Sequence, residues 1–208
     1  MTRPLSRAWL ARPSTVVAPD LLGRHLVRRL PDGTECRARL VETEAYDMGD
    51  PASHSFRGPT RRTDVMFGPP GHLYVYLIYG MHHCLNVVTG TDGHGAAVLL
   101  RAAEPLEGIA AMSANRGVQD TRLLCRGPAR LAQALDVDRT LNGVDLLRSD
   151  VMWLEAGAPV PAARVAVTRR IGISVAIERP WRWMESGSPW ASPTPAASRS
   201  PAARQPSP

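Results

Sequence analysis

The chain contains no lysine; all 25 of its basic residues are arginine. No side-chain amine is available to form a Schiff base with a carbonyl or sugar substrate, so that branch of covalent catalysis is excluded except at the terminal amine. Cysteine is scarce too. Cys36, Cys84 and Cys125 are isolated and odd in number, which argues against a disulfide framework and against any CxxC metal site. Long apolar runs are missing, both in the opening MTRPLSRAWLARPSTVV and further on. Neither a signal peptide nor a membrane span is expected, and a reduced, cytoplasmic setting is.

Aromatic residues make up only 5% of the chain, yet all four tyrosines, Tyr46, Tyr74, Tyr76 and Tyr79, fall in one window with Glu42 and Glu44 of VETEAY. Ring-bearing polar side chains gathered around two carboxylates predict a pocket for a flat ligand. Against 19 acidic residues the arginines leave a formal charge of +6. Such a surface favours polyanions, and the planar guanidinium suits phosphate oxygens. A GC-rich coding bias accounts for arginine in place of lysine but not for the positive excess.

With 208 residues, 44% of them hydrophobic, the chain can build one domain with a real core. The expected division is a flexible N-terminus over residues 1–9, one domain over 10–191 and a disordered Pro/Ser/Ala/Arg-rich tail over 192–208. Strand signals dominate the body. RARLVETEAY alternates, which predicts Ala38, Leu40, Glu42, Glu44 and Tyr46 on one face and Val41, Thr43 and Ala45 on the other. HLYVYLIYGMHHCLNVVTG reads as a hairpin turning at Tyr79-Gly80, AAVLLRAAEP as a buried strand ended by Pro105, and RVAVTRRIGISVAI as one strand or two flanking Arg170. Helices are expected in APDLLGRHLVRR, in EPLEGIAAMSANR and in GPARLAQALDVD, where Pro128 suits a first turn. Together these predict an α+β domain with a curved, mainly antiparallel sheet, a protruding β-hairpin and several peripheral helices.

Spacing alone leaves choices open. Tyr74 and Tyr76 share a strand face, whereas Tyr79 sits at the turn, where its ring either folds back on its own hairpin or stands out as a wedge for a base stack. Glu42 and Glu44 either line a wet edge strand or are buried together, which requires a cation or a raised pKa. Arg101 is the natural counter-ion, or else a strand-end charge reaching solvent. Six histidines, His25, His54, His72, His82, His83 and His94, suggest metal chemistry, above all a hydrolase using His82, His83 and Cys84. Adjacent strand residues point to opposite faces, however, and no HxH, HExxH or CxxC pattern supplies a third ligand, so no metal is expected. FGPPGH lacks the lysine and the Ser or Thr of a P-loop and reads as a rigid turn.

The segments VETEAY, DPASHSFRG, MFGPPGHLYVYLIYGMHHCLNVV, VLLRAAEPLEG, CRGPARLAQAL and RRIGIS, in this order from about Leu10 to Ser192, resemble the alkyladenine (3-methyladenine) DNA glycosylases, the methylpurine DNA glycosylases. The resemblance implies that Glu44 is the general base activating a water and that Arg101 helps to hold that water. It further implies that Tyr46, His54 and Tyr76 bind the damaged base, that Tyr79 intercalates, and that Asn86 crowds the exocyclic amine of guanine. It implies duplex DNA bearing a damaged purine (3-methyladenine, 7-methylguanine, hypoxanthine or etheno-adenine) as partner, an abasic site in an unbroken strand as product, and no metal or organic cofactor. No membrane and no obligate protein partner are implied, and a monomer is expected, since one chain holds every group the reaction needs. Pro180-Trp181-Arg182-Trp183-Met184 stands where PWRFY-like text is usual in the family, a departure outside the inferred site. The competing function is a non-catalytic module that binds distorted or damaged nucleic acid through Tyr79.

Overall fold

The computed structural model of the chain describes residues 5–193. Two short helices, α1 (Arg7–Leu10) and α2 (Ser14–Asp20), lead into strands β1 (His25–Arg29) and β2 (Glu35–Asp47). A long loop with a 3-10 turn at Asp64–Phe67 precedes the hairpin of β3 (Leu73–Ile78) and β4 (His82–Val88), and then β5 (Ala96–Glu107). Helices α3 (Ile109–Arg116), α4 (Thr121–Leu124) and α5 (Pro128–Ala134) follow, and β6 (Met152–Glu155), β7 (Val165–Thr168) and β8 (Arg182–Glu185) close the chain. Every strand pair is antiparallel, in the order β3-β4-β5-β2-β1-β6, with β8 joining β2 to β7. The fold is α+β, one curled sheet with peripheral helices.

The β2–β5 ladder shifts register three times, first between Arg37 and Ala38 and then twice around Glu42. Along β2 the pairing with β5 slips between Leu40 and Glu42 and again between Glu42 and Thr43, leaving Val41 unpaired on one strand and Arg101 on the other. The inward phase flips there. Cys36, Ala38 and Leu40 point into the main core before the slip and Ala45 after it. This corrects the expected alternation: Glu42 and Glu44 share a face with each other but not with Ala38 and Leu40, because period-2 reading cannot pass an inserted residue. The free edge of β2 changes neighbour at the same point, from β1 at Arg39 to β8 at Glu42.

The main core lies between this sheet and α2, α3 and α5, filled by Leu40, Val75, Leu85, Val98, Leu100, Met112 and Leu131. A smaller cluster of Met66, Tyr74, Val88 and Ala97 occupies the other face, beneath the 3-10 turn. The long loop comes down tightly there: a Cβ on Gly95 would stand 2.6 Å from the Phe67 ring and 2.7 Å from Ser55, so only glycine lets the layers meet.

Other expectations shift for identifiable reasons. The helix expected over APDLLGRHLVRR ends at Asp20, next to Pro19, and His25–Arg29 is a strand in which Leu26 and Val27, on opposite faces, are both buried, so its apolar residues follow no period of two. EPLE belongs to β5 rather than to the helix. Pro105 does not end that strand, because it sits at a register shift where no ladder N–H is required. After β7 the segment holding Ile171 leaves the ladder, since its backbone and side chains bond to Glu44 and Asp50 instead. Strands β6 and β8, four residues each, were not anticipated. The proline-led α5 forms as expected, with Pro128 in its first turn after Gly127. No helix among the described residues is long and apolar enough to cross a membrane. The tail expected over 192–208 lies, from residue 194 on, outside the described residues.

Candidate active site

Along β3, Leu73 and Val75 enter the main core, so Tyr74 and Tyr76 emerge on the opposite face. Their ring centroids are 5.7 Å apart with planes tilted by 32°. His54, from the loop after β2, meets Tyr76 edge-on at 4.6 Å and Tyr74 at 6.1 Å, and its Nδ1 lies 3.0 Å from the Tyr74 hydroxyl. Burial, and secondarily the charge of Arg62, lowers the pKa of His54. Burial likewise raises those of Tyr74 and Tyr76. With Tyr46, Cys84, Asn86, Arg101 and the Ile171 segment these rings enclose a cavity of about 330 Å³, at the small end of the usual ligand-pocket range of about 300–1,000 Å³.

Behind one wall stand the two carboxylates, both 0% exposed. Glu42 is thoroughly compensated. Its Oε1 accepts from Arg101 Nε at 2.8 Å and Arg182 Nε at 2.6 Å, and its Oε2 from the Ser192 backbone N–H at 2.6 Å. Burial alone would raise its pKa, but the two arginines and that N–H bring it below the ordinary carboxylate value. Glu44 has weaker support. Its Oε1 accepts from the Ile171 N–H at 2.9 Å and faces Arg101 Nη1 at 3.3 Å, and its Oε2 accepts from the Tyr46 hydroxyl at 2.9 Å. Burial therefore prevails, and the Glu44 pKa is raised despite Arg101. Two neighbouring carboxylates on one strand face are thus driven apart in basicity, a pattern common at catalytic sites.

Glu44 stands directly behind the cavity wall rather than in it, since its partners Tyr46, Arg101 and Ile171 all line the cavity. The Ile171 N–H is placed by its neighbour. Arg170, buried, forms a two-pronged ion pair with Asp50, with Nη2 3.0 Å from Oδ1. Its guanidinium also lies 4.7 Å from the Tyr46 ring centroid and 5.3 Å from that of Trp181. One arginine thereby fixes a stacking ring and the backbone donor to Glu44 together.

Asn86 is nearly buried in the cavity floor and donates from Nδ2 to the Tyr74 carbonyl at 3.1 Å. Tyr79, at the hairpin tip, is 79% exposed, so its ring does not fold back onto the hairpin. Its backbone is left-handed, with φ of 54°, and Gly80 follows with φ of 69°. The hairpin twist asks for two such residues, and only the second is glycine. Tyr46, His54, Tyr76, Tyr79, Asn86 and Arg101 therefore meet at one cavity, with Glu44 behind it. His82 and Cys84 lie on its wall as well, but no three His, Cys, Asp or Glu side chains converge as a metal requires among the described residues.

Sequence reasoning placed Tyr74 in the tyrosine pocket without giving it a role, and it missed Asp50, Arg170, Arg182 and Ser192. RRIGIS and PWRWM were in view, but that their arginines are buried, at 4% exposure for Arg170 and 0% for Arg182, follows only from the tertiary structure.

Residues 8–189 match the family model described as methylpurine-DNA glycosylase. A relative from Carboxydothermus hydrogenoformans is 48% identical over 179 residues, covering 86% of this chain and 93% of its own. One from a Synechococcus species is 48% identical over 188 residues, covering 87% and 95%, and one from Streptomyces avermitilis is 48% identical over 195 residues, covering 91% of each. All three bear the name "Putative 3-methyladenine DNA glycosylase". With a match running through the β2 carboxylates, the tyrosine hairpin and the Arg170 segment, the chain belongs to the methylpurine-DNA glycosylase family.

Proposed function

We propose that the protein removes damaged purines from duplex DNA by hydrolysing the N-glycosidic bond, with Glu44 as general base. The observation that carries this reading is the unequal carboxylate pair behind a ringed cavity: Glu42 pinned as an anion, Glu44 kept basic one residue from the ligand space.

Extruding a nucleotide costs a few kcal/mol and leaves a gap in the stack. Tyr79 fills that gap, which explains why an exposed aromatic occupies the strained end of a hairpin. The base lies against Tyr46 and Tyr76, with His54 at its edge. Alkylated purines such as 3-methyladenine and 7-methylguanine are cationic, so tyrosine faces attract them beyond ordinary stacking. Asn86, held by the Tyr74 carbonyl, resists the exocyclic amine of guanine.

Water enters between Arg101 and Ile171 and gives its proton to Glu44 while its oxygen bonds to C1′. The C1′–N bond breaks and its electron pair leaves with the purine, neutralising a cationic base. Hypoxanthine, a neutral leaving group, needs protonation or hydrogen bonding at the purine. Since no lysine is present, no imine with the sugar forms at a side chain, and the product is an abasic site in an intact strand. One protomer carries all of these groups, so the working unit is a monomer.

Duplexes bearing a single hypoxanthine, 7-methylguanine or 3-methyladenine, incubated with enzyme and then treated with hot alkali, test the reading. Cleavage at the lesion only after alkali is expected, and it should be lost in Glu44→Gln with lesion binding retained. Intact strands in every case with folded wild-type protein would refute it, and binding without base release would instead identify a recognition module.

A further inference from the structure

Tyr74 is 1% exposed, and a buried phenol must place its proton as well as satisfy its oxygen. Among the described residues two polar groups meet it: His54 Nδ1 at 3.0 Å, and the guanidinium of Arg62, which also lines the cavity. A guanidinium has donors only, so Arg62 can fill a lone pair of the phenol oxygen but cannot take its proton. Among the described residues, His54 Nδ1 is the acceptor that remains. A neutral imidazole that accepts at Nδ1 carries its own proton on Nε2. Burial and the Arg62 charge lower the pKa of the ring and so favour its neutral form, and His54 is exposed on one side while lining the cavity on the other.

We propose that Tyr74 is a positioning residue that fixes His54 as its Nε2–H tautomer, so that His54 offers a bound nucleotide one hydrogen-bond donor for an acceptor oxygen. The tautomer stands on the free protein, while the identity of the ligand rests on the function proposed above. Two oxygens of a nucleotide meet the requirement: the 6-oxo group of a purine and a phosphate oxygen. A 6-amino group would set donor against donor, which gives the pocket a means of telling an oxo-purine from an amino-purine.

Long-range proton–nitrogen correlation spectra of the ¹⁵N-labelled full chain, with His54 assigned by its loss in His54→Gln, test the tautomer directly. An unprotonated Nδ1 and protonated Nε2 are expected in the wild type, and a mixed pattern in Tyr74→Phe, which keeps the ring and its packing. A protonated Nδ1 in the wild type, or an unchanged pattern in Tyr74→Phe, overturns the proposal whether or not the protein proves to be a glycosylase. Single-turnover base release then locates the acceptor. Tyr74→Phe is expected to be about tenfold slower, the worth of one hydrogen bond. A loss confined to hypoxanthine and 7-methylguanine places the donor on the 6-oxo group, and an equal loss with 3-methyladenine places it on phosphate. Unchanged rates on all three lesions, or a loss confined to 3-methyladenine, reject the donor role.

Discussion

Glu42→Gln and Glu44→Gln make the same exchange two residues apart, and they are expected to move stability in opposite directions. At position 42 one carboxylate oxygen takes two arginine donors and the other takes the Ser192 N–H. An amide has one acceptor oxygen, so its NH₂ must face a donor whichever way it is turned, and both arginines lose the charge of Glu42, with Arg101 keeping that of Glu44. Removing one partner from a buried ion pair costs about 3–5 kcal/mol. At about 2–4 °C per kcal/mol for a chain of this size, the melting temperature at pH 7 should fall by roughly 6–20 °C. At position 44 the amide oxygen can keep the Ile171 N–H and Arg101, while the NH₂ donates to the Tyr46 hydroxyl, which is free to rotate. There the exchange removes a charge that burial disfavours, so the melting temperature should hold or rise. Base release should fall at least about 10²-fold, the lower bound for a general base.

The pH dependence has matching signs. Glu42, depressed in the fold, contributes stability that is present above its ordinary value of 4.5 and lost as pH falls through the lower folded value. Glu44, raised in the fold, contributes below 4.5, and that contribution is gone once pH passes its raised folded value. The advantage of Glu44→Gln over the wild type should therefore grow from acid toward neutral pH and vanish in acid. Thermal melts of the three proteins across pH measure this. A drop for Glu44→Gln as large as that for Glu42→Gln, or no drop for Glu42→Gln, would refute the division between the two carboxylates.

Three further outcomes are expected. The acidic limb of the single-turnover rate should lie above the ordinary glutamate value of 4.5, since Glu44 must be ionised to take a proton and burial raises its pKa; a limb at or below 4.5 contradicts Glu44 as the base. Tyr79→Gly removes a 79% exposed ring from a left-handed position, so the melting temperature should change little while base release from duplex falls more than from single strands; equal losses on both would contradict the wedge. Arg170→Lys cannot keep both prongs on Asp50 or stack on Tyr46 and Trp181, and should cost about 3 kcal/mol by denaturant unfolding together with a slower rate; a wild-type rate would show that the Ile171 N–H is placed by other contacts.

What was legible in the sequence was whatever depends on neighbours along the chain. The hairpin turn at Tyr79-Gly80, the proline-led helix after Gly127 and the shared face of Glu42 and Glu44 each follow from a spacing of a few residues. What depends on partners across the fold was not. His25–Arg29 carries no clean period because both its faces are covered at Leu26 and Val27, and β8 is too short to announce itself beside four turn-prone residues. The ion-pair network drew the same line. Arg101 could be named as a counter-ion from its place after an apolar run, whereas Arg182 and the Ser192 N–H reach Glu42 from 140 and 150 positions away.

The two register shifts around Glu42 explain why the cavity lies where it does. An unbroken β2 would carry Glu42 and Glu44 toward the same side as Leu40, into a core of Leu85, Leu100 and Met112 that offers a carboxylate nothing. The extra residue at Val41 turns both acids to the opposite face, and the extra residue on β5 lets Arg101 face that side between them. The same step ends the pairing of β2 with β1 and opens its edge to β8, which supplies Arg182. Position, counter-charge and neighbouring strand thus change together at one irregularity. The strand can hold a base of raised pKa beside an ordinary core because the second acid, two residues earlier, has already taken most of the positive charge.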